Sequence, residues 1–145
     1  PVKMANTGEV EVAAAGDVLL GALTGVFFTD ASTSKPTYAN HLKASNTATD
    51  IVGFVVDDPY ERFEVQSAGT PSQTNIGNCA DISYTAGSSP NFVSKVEASG
   101  TMAAGEAQLK IIGVSKDPDN NELGSANTNL VVTINEHFLK KTAGI

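Results

Sequence analysis

The sequence predicts an all-β fold: a single-domain antiparallel β-sandwich or partly closed β-barrel with long polar loops. Three observations lead there. Short apolar runs rich in Val, Ile and Phe recur along the chain, Gly, Ser, Thr, Asn and Ala fill the intervals between them, and no segment sustains a helical period. A chain of 145 residues suits one domain, 1–145, and is long enough to bury a core without disulfide or metal staples.

The elements follow in order. Residues 1–9 read as an extended N-terminal arm, and the next apolar runs predict strands at Glu9–Val12, Val18–Leu20 and Leu23–Phe28. The stretch from Ala13 to Phe28 is shorter than the roughly 20 residues of a membrane span, and Gly16, Asp17, Gly21 and Gly25 interrupt it. No basic start with a small-residue cleavage site precedes it, so no membrane is expected as a partner. Thr29–Asp50 is polar, with Tyr38 and Leu42 as its only sizeable anchors, and reads as a long loop or exposed hairpin tip.

Ile51–Val56 is a β-branched and aromatic run too brief for a helix. Asp57-Asp58-Pro59 stops it, because proline has no amide donor and drives Asp58 from helical angles. Arg62–Gln66 then alternates, with Phe63 and Val65 on one face and Arg62, Glu64 and Gln66 on the other. After the polar interval Ser67–Asn78, further strands are predicted at Asp81–Tyr84, Phe92–Glu97, Gln108–Val114 and Asn129–Asn135. In the last of these Leu130, Val132 and Ile134 form one apolar face. Leu109-Lys110-Ile111-Ile112-Gly113-Val114 breaks such alternation, so either both faces are covered or a bulge at Gly113 shifts the register.

Composition narrows the function classes. A net charge of −7 and an isoelectric point near 4.6, with Arg62 the only arginine, argue against nucleic-acid binding, which needs clustered cations. Tryptophan is absent, so a stacking platform for single strands is not expected either. Cys79 is the sole cysteine; it reads as a small buried apolar residue.

The candidate chemistry is sparse. Asp117, Asp119 and Asn121 in the turn Asp117-Pro118-Asp119-Asn120-Asn121-Glu122 place oxygen donors at alternate positions, as Ca²⁺ accepts. Glu122 and Thr128 stand where an EF-hand loop needs glycine and a bidentate acid, so local turn formation is favoured over a metal site. Asp57, Asp58 and Glu61 form a carboxylate cluster, but nothing nearby separates their proton affinities for acid–base work, and pairing of one with Arg62 is expected. His41 and His137 lie in no ligand or nucleophile spacing. The reading is non-enzymatic: no catalytic residue, no cofactor and no firm metal ligand.

The segment Ile51–Gln66, together with Asn78-Cys79-Ala80-Asp81-Ile82, Gln108–Val114, Asp117-Pro118-Asp119-Asn120 and Val131-Val132-Thr133-Ile134-Asn135-Glu136-His137, resembles small virion proteins of tailed bacteriophages that decorate or cement the head. The resemblance covers roughly the C-terminal two-thirds of the chain in texture and order. It implies a protein on the outer surface of the virion, bound in many copies to the major capsid protein, homo-oligomeric and most simply trimeric at threefold junctions. Pro1, Val2 and Lys3 of the arm and Lys35, Tyr38, His41 and Lys43 of the polar loop are the expected capsid contacts. The alternative is a carbohydrate- or surface-binding β-sandwich, adhesin or lectin-like, with Ca²⁺ at Asp117–Glu122. Against it, sugar sites commonly stack on Trp or Tyr rings, and here only Tyr38, Tyr60 and Tyr84 are available.

Overall fold

In the computed structural model, which describes residues 1–140, eleven short strands and two 3₁₀ turns, Gln73–Asn75 and Phe138–Lys140, make up the regular structure. The strands are β1 (Val2–Met4), β2 (Val10–Val12), β3 (Ala22–Thr29), β4 (Pro36–Ala39), β5 (Val52–Val56) and β6 (Arg62–Gln66), followed by β7 (Cys79–Ala80), β8 (Ile82–Ser83), β9 (Glu97–Ala98), β10 (Leu109–Val114) and β11 (Asn129–Ile134). They pair antiparallel into a four-stranded sheet ordered β6-β11-β10-β7, a three-stranded sheet β4-β3-β5, and the ribbons β1-β2 and β8-β9. The fold is all-β and consistent with a β-sandwich. Among the described residues no sheet closes into a barrel, and β5 and β6, consecutive in sequence, are edges of different sheets.

The main core lies on one face of the four-stranded sheet. Leu130, Val132 and Ile134 of β11 join Leu109 and Ile111 of β10, and Ala13, Leu19, Ile82 and Ala98 cover them. Phe63 and Val65 of β6 flank this cluster, on the face their alternation predicted. Fully burying a side chain of this size stabilises by about 1.5–3 kcal/mol. The β10-β11 register shifts between Ile111 and Gly113, so the bulge reading of this strand holds. Ile111 is 0% exposed and its neighbour Ile112 is 39% exposed.

A buried amide ties the covering segments to this sheet. Gln108, fully buried just before β10, accepts from the Ile82 amide through Oε1 (2.9 Å). Its Nε2 donates to the carbonyls of Ala14 (2.8 Å) and Asp17 (2.7 Å), and its own carbonyl accepts from Asn135 N–H (2.8 Å). One side chain thus fastens the 14–17 turn, β8 and the start of β10, satisfying groups whose burial without partners is costly.

Several predicted elements need correction. Residues 1–9 are not a free arm: β1 pairs with β2, and the Val2 amide donates to Gly21 (2.9 Å). Val18–Leu20 forms no named strand, only a parallel bridge between Leu19 and His137, which holds this stretch against the end of β11. Thr29–Asp50 is not one loop, because β4 lies inside it and pairs with β3. Phe92–Glu97 reaches strand geometry only at Glu97, since Phe92 adopts a left-handed φ of 49° that breaks an extended run.

Candidate interaction surface

The β4-β3-β5 sheet carries two contrasting faces. Val26 and Phe28 of β3 are buried, on the side over which residues 40–47 fold: Thr37, Ala39, His41, Asn46 and Thr47 line a cavity with Phe28. On the other side the register sets Phe27 between Tyr38 of β4 and Val52 of β5, with Phe54 opposite Gly25. Strand alternation therefore places Tyr38, Phe27, Val52 and Phe54 together. They are 63%, 41%, 53% and 47% exposed, respectively.

This patch is ordered by its own packing. The Tyr38 ring lies 5.9 Å from that of Phe54, within the range where aromatic pairs add about 0.5–1.5 kcal/mol beyond area burial. Tyr38 can reach across β3 because Gly25 has no side chain; a Cβ there would collide with the Tyr38 hydroxyl. Thr24 forms the bulge that admits this arrangement, its hydroxyl donating to the Phe54 carbonyl (3.1 Å). An uncharged aromatic face on a protein of net charge −7 is the surface feature least expected of a simple solvent boundary.

The loops beside the patch are fastened by polar contacts. Asp50 accepts from both the amide (3.0 Å) and the hydroxyl (2.6 Å) of Thr29, which lowers its carboxyl pKa. Asp30 closes the β3-β4 turn by accepting from the Ser32 hydroxyl (2.6 Å) and the Thr33 amide (2.9 Å), and is held at about 2 by these bonds, the Ser32 hydroxyl foremost. The His41 ring stacks on Phe92 at 4.1 Å, and Lys43 Nζ lies 5.6 Å from the same ring. These contacts tether the 40–43 segment to the loop after β8 and offset the roughly 1–2 kcal/mol cost of the Phe92 backbone.

The expected contact residues therefore divide. Lys35 and Tyr38 are exposed at the β4 hairpin, and Lys43 is exposed beside half-buried His41. Pro1 is half-buried and Val2 is buried. Lys3 is ion-paired to Glu11 (3.3 Å) and Asp17 (3.0 Å), which raise its pKa, Asp17 most. Val2 and Lys3 thus hold β1 to its own domain neighbours, and Val2 is corrected as a contact. Phe27, Val52 and Phe54 were missed as surface groups, because an apolar strand reads as core in sequence.

The acidic candidates stay within their turns. Asp117 Oδ1 accepts from Asp119 N–H (3.1 Å), Asn120 Nδ2 donates to Asn127 (2.9 Å) and Asn129 (2.9 Å), and the buried Thr128 hydroxyl donates to the Glu122 carbonyl (2.7 Å). Among the described residues no three His, Cys, Asp or Glu side chains gather as a cation would need. Asp58 accepts from Tyr60 N–H (2.8 Å) and Glu61 from Arg62 N–H (2.9 Å). The expected ion pair of Arg62 does not form among the described residues. Lys140 lies 5.0 Å from the Tyr60 ring and docks this turn against the Phe138–Lys140 end.

His137 is fully buried. Nδ1 accepts from the Leu139 amide (3.1 Å), so the ring proton sits on Nε2, which has no partner in hydrogen-bond geometry. Burial lowers its pKa, with Lys140 adding to the effect; Asp57, Asp58 and the nearby Leu20 backbone oppose it more weakly. A half-open cleft of about 730 Å³ lies beside β6, floored by Leu109, Val132 and Ile134 and rimmed by Glu64, Lys95 and Glu97.

Comparison with protein-family models, curated proteins and solved structures gave no match to this chain.

Proposed function

We propose that this chain is a non-enzymatic virion protein that decorates the outside of a tailed-phage head, docking through the Tyr38–Phe27–Val52–Phe54 face and stabilising contacts between major capsid protein subunits. The observation that carries the reading is that uncharged aromatic face on an otherwise acidic protein. The resemblance of Ile51–Gln66 and the later segments to phage decoration proteins supports the choice of partner. A ligand that binds the assembled shell and not its free subunits stabilises the assembled state by mass action. Repetition over the shell lattice makes modest single contacts sufficient.

The test is co-sedimentation of the purified chain with assembled heads that lack it, against free capsid subunits. Binding to heads alone, lost in a Tyr38→Ser/Phe54→Ser double variant that stays folded, is expected. Equal binding of wild type and variant, or none by either, overturns the proposal.

A further inference from the structure

The sheet edges differ in how they are protected. On β4, Lys35 accepts from the Asp30 amide (2.9 Å), so strand alternation turns Pro36, which has no amide hydrogen, toward the open side. Cys79 of β7 exchanges bonds with Ala103 (2.9 and 3.1 Å), and Ala68, just past β6, donates to Ala98 (2.8 Å). β5 has none of these devices. Between Ile51 and Val56 it holds no proline, no charge and no bulge of its own, and among the described residues it pairs only with β3.

The direction of its free groups follows from one bond. The Phe54 carbonyl faces β3, where it accepts from the Thr24 hydroxyl. Polar groups alternate along an antiparallel strand, so those of Ile51, Gly53 and Val55 face outward.

We infer that β5 is the pairing edge of a two-fold dimer, adding antiparallel to β5 of a second copy with Gly53 on the axis. In that register Gly53 meets Gly53 and Ile51 meets Val55, so all the outward groups are matched in about six hydrogen bonds. Val52 then lies directly against Phe54 of the second copy, in the closer, non-hydrogen-bonded type of pair.

Charge selects the register and makes this edge the least repulsive place for a second copy. A net charge of −7 makes most of the surface repel another copy, whereas Ile51–Val56 is neutral. Centred on Gly53, the pairing sets Asp50 opposite Val56 and Asp57 opposite Thr49. Centred on Phe54, it would bring Asp50 against Asp58. The dimer joins two three-stranded sheets into one of six strands and doubles the width of the aromatic face. It closes with two copies, where the phage resemblance implies three. The pairing stands apart from the capsid reading, since it concerns the isolated chain.

Sedimentation velocity of the isolated chain, from low micromolar to submillimolar concentration, tests it. A monomer–dimer equilibrium is expected. Val52→Glu, which sets a carboxylate against Phe54 of the second copy, leaves only monomer, while Val93→Lys, on an exposed loop outside β5, leaves the dimer intact. Should Val52→Glu fail to fold, amide exchange of the wild type decides: Gly53 and Val55 gain protection as concentration rises. A monomer throughout, a trimer, a dimer that survives in folded Val52→Glu, or concentration-independent exchange at Gly53 and Val55 overturns the inference.

Discussion

Gln108 and His137 are the two buried polar side chains on which the covering segments depend. Replacing Gln108 with Leu keeps the volume but strands the Ile82 amide and the Ala14 and Asp17 carbonyls. At about 1–3 kcal/mol per unsatisfied buried group, with some relief from entering water, the loss is about 3 kcal/mol, measurable by urea denaturation. His137 makes stability depend on pH. Its folded pKa is depressed, so its contribution is complete above the ordinary value of 6.5 and is lost as pH falls from there toward the folded value. Stability is expected to drop as pH falls below the ordinary value of 6.5, and His137→Gln to flatten that part of the profile while lowering the plateau. Asp30, also depressed, acts in a lower window, from 3.8 toward about 2. None of these roles was legible in the sequence. A glutamine at a strand start gives no sign of burial, and the partners of Gln108 lie tens of positions away; His137 bonds locally to Leu139, and what the sequence hides is the distant Leu19 segment laid against it.

At the scale of elements, β10 sets its adjacent isoleucines on opposite faces of the sheet. Ile111→Ala removes a fully buried side chain and is expected to cost about 2–5 kcal/mol. Ile112→Ala, on the solvent side, is expected to stay within about 0.5 kcal/mol. Equal costs would mean that both side chains are buried. Gly21 marks the junction where the chain enters β3: a Cβ there would collide with the Val56 carbonyl. Gly21→Ala should displace β5 and destabilise by about 1–3 kcal/mol, visible as a lowered melting temperature.

Elements with a regular period were readable in sequence: β6 and β11 alternate cleanly, and β6 has the predicted bounds. Those missed were set by distant partners. β4 is a strand of Pro, Thr, Tyr and Ala that extends only because β3 lies alongside it. Conversely, Phe92–Glu97 has strand-like composition, but Phe92 is drawn into the loop by its stack on His41.

Over the whole molecule, the sequence carried the all-β class, while the division into separate sheets depends on contacts between segments far apart in the chain. The acidic composition was equally plain, yet the uncharged face was hidden, since Phe27, Val52 and Phe54 were indistinguishable from core residues until the β3-β5 register was known. That face ties the fold to the proposed role. The most direct measurement of the proposed role is quantitative mass spectrometry of virions purified from the source of this chain, digested with and without prior protease treatment of intact particles. The account predicts a copy number comparable to that of the major capsid protein and cleavage or labelling from outside the intact shell. Absence from the virion, or presence only inside the shell, would contradict it.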